Sequence, residues 1–488
     1  MEVTKKSVTT NMFWRFLERC GAQLVTFIVS IVLARLLDPT IYGTVALVTV
    51  FTTILQVFVD GGLGNALVQK KDADDLDFST VFFFNIGMCA ILYLGIFFCA
   101  PLIAAFYNKP ELTLLTRVLA VVILISGIKN VQIAYVSKNL QFKKFFWATL
   151  VGTIIASVAG IVMAFFLPYN LKIWALVAQN LINQTIDTIV LWFLVKWRPK
   201  LLFSWKRFSK LFSYGWKLLL SGLLDTGYNE LRSLIIGKKY SSADLGYYNR
   251  GRQFPNLIVQ NVNSSIDSVL LPSMSFRQDD KEKVKSMTRR SIKVSSYIML
   301  PMMAGLAAVA PSLVHVLLTD KWLPCVIFLQ ISCLSFAFWP IFTANLNAIK
   351  ALGKSDIFLI LEIIKKVLGL MILFSFMWIS VEAIAFSSVL ITVISLIINT
   401  WPNKKLLNYS LLEQIKDILP SLALSLVMGI IVYSFGVFAG MSLKTLLIQV
   451  FFGVSIYLFG SAFFKIEPYF YTKEVIGLFI NKSNKGKK

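Results

Sequence analysis

Ionisable and amide side chains set inside long apolar runs are the residues of this sequence with chemistry to do. Arg15, Glu18 and Arg19 stand at i, i+3 and i+4, with Gln23 and Thr26 continuing the same side of a helix. Lys217, Ser221, Asp225, Tyr228 and Arg232 fall within about 80° of one another at 100° per residue. Gln253, Asn256, Gln260, Asn263 and Asp267 form a third stripe, and Thr49, Thr53, Gln56 and Asp60 a fourth. An ionised group in hydrocarbon costs at least about 2.5–3.5 kcal/mol, so each stripe must face a watery cleft or a partner. Plainer readings stand beside the cleft. Arg15, Arg19 and Lys217 lie close enough to a helix end to snorkel. Asp225, Arg232 and Asp267 suit a buried charge pair between helices, and the amides suit interhelical hydrogen bonds. Gln179, Asn183 and Asp187 add polar groups to another span, and Glu362 and Lys366 read as an i, i+4 pair.

The elements that carry these stripes must lie in lipid. Of 488 residues, 57% are hydrophobic and 15% charged, against roughly 45–50% and 25% in soluble proteins. Mean hydropathy is +0.72. Scanning for apolar stretches near 20 residues gives about fourteen spans, from Asn11 to Leu37 through to Leu443 to Phe464, and hence an all-α polytopic membrane protein. Thirty Lys and Arg fall in the N-terminus, the even-numbered connections and the tail, against six in the odd connections. That asymmetry predicts both termini in the cytoplasm and accounts for the net charge of +23 without nucleic acid. No connection is long enough to hold an extracytoplasmic catalytic domain, which argues against an enzyme.

Cys20, Cys89, Cys99, Cys325 and Cys333 sit in apolar runs with no CxxC pair, and His315 is the one histidine. They read as buried hydrophobes and a satisfied structural histidine, with neither metal nor cofactor expected. Gly61-Gly62-Leu63-Gly64 lacks the strand, the Lys and the Ser or Thr of a phosphate loop, so it reads as close packing or a flexible point. With no Walker motif, energy must come from an ion gradient, the membrane potential or the substrate gradient. No cleaved signal peptide is read at the N-terminus.

The chain also repeats. At a shift near 210, Ala100-Pro101-Leu102-Ile103 meets Ala310-Pro311-Ser312-Leu313, and near 203, Tyr42-Gly43 meets Leu245-Gly246. Two six-helix lobes, 1–200 and 201–402, are predicted, related by an axis along the membrane normal, with two further helices and a basic tail in 403–488. The four helices that open the lobes carry the stripes and are expected to line the cleft between them.

Ala34-Arg35-Leu36-Leu37-Asp38-Pro39-Thr40-Ile41-Tyr42-Gly43, Asp60 to Gln69 (DGGLGNALVQ) and Leu245-Gly246-Tyr247-Tyr248-Asn249-Arg250 resemble the Wzx-type flippases of the polysaccharide transporter family. That family belongs to the multidrug/oligosaccharidyl-lipid/polysaccharide exporter superfamily, which also holds the multidrug and toxin extruders and the lipid II flippase. The resemblance, from about Thr9 to Lys465, implies a fourteen-helix transporter that moves polyprenyl-pyrophosphate-linked oligosaccharide between leaflets of the bacterial cytoplasmic membrane, for O-antigen, capsule or exopolysaccharide export. No site residue is carried over by it. For such a substrate the stripes assign Arg15, Arg19, Lys217 and Arg232 to the diphosphate, and Gln56, Asn256, Gln260 and Asn263 to the sugar. Asp60, Asp225 and Asp267 are the sites for a coupling cation, H+ or Na+. Membrane lipid and polysaccharide polymerase machinery are the further partners expected. A cation-coupled multidrug exporter and a lipid II flippase are the alternatives, and a membrane enzyme of polysaccharide assembly the third.

Overall fold

A computed structural model describes the backbone of residues 5–60 and 62–474, and their side chains except those of 5–13, 15–20 and 214. Arg15 and Arg19 therefore have side chains outside the described residues. Fourteen helical stretches follow one another: α1 Lys5–Leu36, α2 Pro39–Gln69, α3 Asp75–Tyr107, α4 Glu111–Lys138, α5 Phe142–Phe166, α6 Ile173–Leu194, α7 Trp205–Lys239 and α8 Ser242–Ser275. They continue as α9 Lys281–Leu318, α10 Cys325–Ala351, α11 Ser355–Phe376, α12 Val381–Leu407, α13 Leu411–Ala439 and α14 Leu443–Phe463. Among the described residues there is no strand. Among the described residues, nine of the fourteen are long and apolar enough to cross a membrane. The other five are α1, α6, α7, α8 and α11, of which α11 is apolar but carries Glu362, Lys365 and Lys366 within one span.

Helix starts follow from local chemistry. Asp74, Ser204, Asp280, Ser380, Ser410 and Ser442 each turn a side-chain oxygen onto a backbone N–H three residues on, satisfying a donor that the helix itself leaves unpaired. Interruptions recur in the long spans. α2 breaks at Gly62, with φ at 93°, a left-handed conformation that glycine accepts without strain. A Cβ there would lie 2.4 Å from the Gly215 carbonyl oxygen, so the break is also a close approach of α2 to α7. α4 is interrupted at Ala120 and α10 near Phe338. The starts of α1 to α6 recur 200–214 residues on in α7 to α12, which is the repeat expected from the sequence.

The chain divides into two compact units, residues 1–246 and 247–488. α7, grouped with the second lobe on sequence, packs in the first unit against α2 and α3. Gly43 of α2 crosses the start of α8 so closely that a Cβ on it would lie 1.6 Å from the Ser242 carbonyl oxygen, and one on Gly246 would lie 2.2 Å from that of Pro39. The resemblance motifs around Tyr42-Gly43 and Leu245-Gly246 thus meet at a single glycine crossing. A buried cluster of Phe78, Phe82, Trp197, Phe208 and their neighbours ties α3 to the α6–α7 connection. Beside it Asp77, wholly buried, accepts from Lys70 at 2.5 Å and from Arg207 at 3.1 Å. Asp74 caps α3 reciprocally with Asp77, and its carboxyl is held below the usual carboxylate range by the Asp77 backbone N–H, with Arg207 and Lys70 adding to the effect.

Within the second unit, Arg289 of α9 forks onto Asp417 of α13 at 2.7 Å for both bonds, and the Tyr409 hydroxyl donates to the same carboxylate. Asn345, Asn403 and Gln414 form a buried amide network. His315 lies 2.5 Å from Asp320, as suits a structural histidine. Glu362 pairs with Lys365 at 2.5 Å, three residues on along the same helix face. One detail departs from the sequence reading. Cys99 is exposed on the apolar exterior of α3, whereas Cys89, Cys325 and Cys333 are buried.

Candidate functional site

In the first unit a polar cavity of about 550 Å³ opens among α2, α4, α6 and α7. α2 supplies Thr49, Thr52, Thr53, Gln56 and Asp60, which repeat at three- and four-residue spacing and so share one face. α4 supplies Ser126, Lys129 and Asn130, α6 supplies Asn180 and Gln184, and α7 supplies Thr226. The Thr49 and Thr52 hydroxyls donate to carbonyls of their own helix, which leaves oxygen lone pairs for the cavity. Gln56 donates to Asp60 at 3.2 Å, and Asn130 donates to the Val59 carbonyl just before the break in α2.

Lys129 is the cation of this cavity. Its ammonium contacts the Asp187 carboxylate of α6 and lies 3.4 Å from the Gln184 amide oxygen. The pair is deep, with side chains 14% and 11% exposed. A Cβ on Gly152 of α5 would lie 3.0 Å from the Cβ and backbone N of Asp187, so α5 packs closely against α6 at this point. The second oxygen of Asp187 is buried with no hydrogen-bond partner among the described residues. Asp60 lines the same cavity as Lys129. One ammonium is thus paired with Asp187 in a cavity that a second carboxylate, amides and hydroxyls also line. Such a site can bind an anion through Lys129, or a proton or small cation through the carboxylates.

The sequence-predicted residues divide. Gln56 and Asp60 line the cavity together. On α7, Lys217 and Asp225 are exposed, Asp225 accepts from Asn229 at 3.3 Å, and Arg232 is 7% exposed. Nε and Nη2 of Arg232 have no partner among the described residues, and its guanidinium lies 5.9 Å from the Tyr228 ring. From α7 only the neighbouring Thr226 reaches the cavity. In the second unit Gln260 is exposed, Asn256 and Asn263 are half-buried, and exposed Asp267 accepts from Asn347 at 2.6 Å. Lys129 was not picked out from sequence. The available signal was a lone lysine in the run VVILISGIKNV, matched by Asp187 in another span: two opposite charges, each too costly to leave alone in lipid.

Helices of spanning length, with charges turned onto an internal polar cavity, define a polytopic α-helical membrane protein. The chain belongs to the polysaccharide biosynthesis protein family, which matches residues 32–327. Among its relatives, the teichuronic acid biosynthesis protein TuaB of Bacillus subtilis is 24% identical over 81% of this chain and 80% of its own length. The succinoglycan biosynthesis transport protein ExoT of Rhizobium meliloti is 24% identical over 66% of this chain, and the lipopolysaccharide biosynthesis protein WzxC of Escherichia coli 23% identical over 62%. The match spans 64% of ExoT and 61% of WzxC, under two thirds of either. The lipid II flippase MurJ in an inward closed conformation shares the fold, with a TM-score of 0.74, 14% identity, and coverage of 93% of this chain and 98% of MurJ. An inward-facing multidrug resistance transporter of the MATE family does so with a TM-score of 0.61, 17% identity, and coverage of 79% of this chain and 95% of its own.

Proposed function

We propose that this chain flips polyprenyl-pyrophosphate-linked oligosaccharide units from the inner to the outer leaflet of the bacterial cytoplasmic membrane, by alternating access and without enzymatic chemistry. The observation that carries the reading is Lys129, a cation held inside an apolar helical bundle among hydroxyls and amides, in a chain of the polysaccharide biosynthesis family. The names of ExoT, TuaB and WzxC, which speak of succinoglycan biosynthesis transport, teichuronic acid biosynthesis and lipopolysaccharide biosynthesis, support it. A lipid-linked glycan can leave its tail in lipid, whereas its diphosphate needs donors that replace water. Arg15, Arg19, Lys217 and Arg232, now joined by Lys129, serve the diphosphate in this reading. Gln56, Asn256, Gln260 and Asn263 serve the sugar, and Asp60, Asp225 and Asp267 take a coupling cation. With both termini cytoplasmic, an inside-negative potential favours outward movement of the anion by about 2.3 kcal/mol per charge at 100 mV.

The test is transbilayer movement in proteoliposomes. Purified protein is reconstituted with a polyprenyl-diphosphate oligosaccharide, and an impermeant lectin reports glycan reaching the opposite leaflet. Movement well above protein-free vesicles, lost in Lys129→Met but not in an exposed-loop control, is the expected result. Glycan movement equal to that of empty vesicles, with uptake of an organic cation in its place, refutes the proposal in favour of a multidrug exporter.

A further inference from the structure

On the outer side of the seam between α4 and α6 runs a second recess, of about 420 Å³, with walls from Ile125 and Ile128 of α4 and from Ile189, Trp192 and Phe193 of α6. Two threonines of α6 also border it, but their hydroxyls donate to carbonyls of their own helix at 2.7 Å, so the lining is apolar in effect. Ile128, Ile189 and Phe193 are exposed, which opens the groove to hydrocarbon. At the end where α6 terminates stands Arg198. Its guanidinium donates only to neutral acceptors, the carbonyls of Trp192, Val195 and Trp197, and lies 5.2 Å from the Trp192 ring. Among the described residues neither Arg198 nor neighbouring Lys196 makes a salt bridge, and Lys196 is near enough to Lys144 for the two to repel. The groove therefore ends in positive charge that no carboxylate among the described residues pairs.

Length and charge together name an occupant. From Thr185 to Phe193 the groove covers nine residues, about 12 Å of helix from first to last, against about 15 Å for half of a bilayer's hydrocarbon core. We propose that this groove is a binding site for an anionic glycerophospholipid, one acyl chain lying along α6 and the phosphate beside Arg198. The site uses faces of α4 and α6 other than those that line the polar cavity, and it does not depend on the transport reading above.

The experiment is native mass spectrometry of the full-length protein in detergent with equal phosphatidylglycerol and phosphatidylethanolamine of matched chains. Wild type should retain one phosphatidylglycerol with about five-fold preference, the effect of one cation near a membrane surface. Arg198→Gln should bring the preference near unity. Because Arg198 also holds carbonyls of the α6–α7 connection, Ile189→Trp provides an independent arm: it fills the groove with the cation intact and should remove one bound lipid per protein. Equal retention of the two lipids by wild type, or unchanged retention in either variant, overturns the proposal. Displacement of phosphatidylglycerol by equimolar polyprenyl phosphate also overturns it, because the groove would then hold the transported lipid.

Discussion

Breaking the Lys129–Asp187 pair should cost more than removing it. Both side chains are almost fully withdrawn from solvent, at 14% and 11% exposure, and one Asp187 oxygen already lacks a partner among the described residues. Lys129→Met strands the Asp187 carboxylate, and a buried charge left alone costs about 3–5 kcal/mol. The polar cavity beside Lys129 holds the figure at the lower end, about 3 kcal/mol. For a unit of this size that is a fall in Tm of roughly 6–12 °C, at about 2–4 °C per kcal/mol. Asp187→Asn should cost less, because Lys129 keeps the Gln184 oxygen and faces the polar cavity. The double variant Lys129→Met/Asp187→Leu removes both charges at similar volume and should return to within about 1 kcal/mol of wild type. Thermal denaturation of the purified protein in detergent, read as a double-mutant cycle, measures the coupling. Single variants within about 1 kcal/mol of wild type, with additive effects, would refute the argument, since the two charges would then be solvated independently. In the proteoliposome assay the stable double variant should still fail to move glycan, which separates loss of the cation from loss of the fold.

Three further outcomes are expected. Gly43→Ala should leave little folded protein in the membrane, as measured by detergent-extractable monomer, because the new methyl overlaps the Ser242 carbonyl of the crossing helix, at about 3 kcal/mol or more. Asp77→Asn should lower thermal stability by about 3 kcal/mol, since it leaves Lys70 and Arg207 facing a neutral group at a wholly buried position. The cap at Asp74 should be pH-sensitive in a defined direction. Its folded carboxyl titrates below the unfolded value, so its stabilisation, about 1 kcal/mol against Asp74→Ala, is present above the ordinary carboxylate range and lost as pH falls through the folded pKa. A stability difference between wild type and Asp74→Ala that grows below pH 4 would contradict this sign.

Hydropathy located most of the helices, because a backbone in lipid must satisfy its own hydrogen bonds and a helix of about 20 apolar residues does so. The two glycines of the Tyr42-Gly43 and Leu245-Gly246 match have a physical reason of their own: both sit at a crossing that tolerates no Cβ. The stripes were legible only as stripes. Gln56 and Asp60 share a helix face by spacing, but spacing cannot say which other face they meet. Asp225, one residue before Thr226, stays outside the cavity that Thr226 lines. Nor can periodicity join Lys129 to Asp187, since neither belongs to a stripe that contains the other. What joins them is the cost of a lone charge: an apolar bundle holding one lysine and one aspartate in different spans lowers its free energy most by setting the two in contact. Listing intramembrane charges by sign would have singled out Lys129 and offered it Asp60 or Asp187, without choosing between them. On α7, too, spacing placed a residue without its partner: Arg232 is buried, with two guanidinium nitrogens unmatched among the described residues, although Asp225 lies on the same helix.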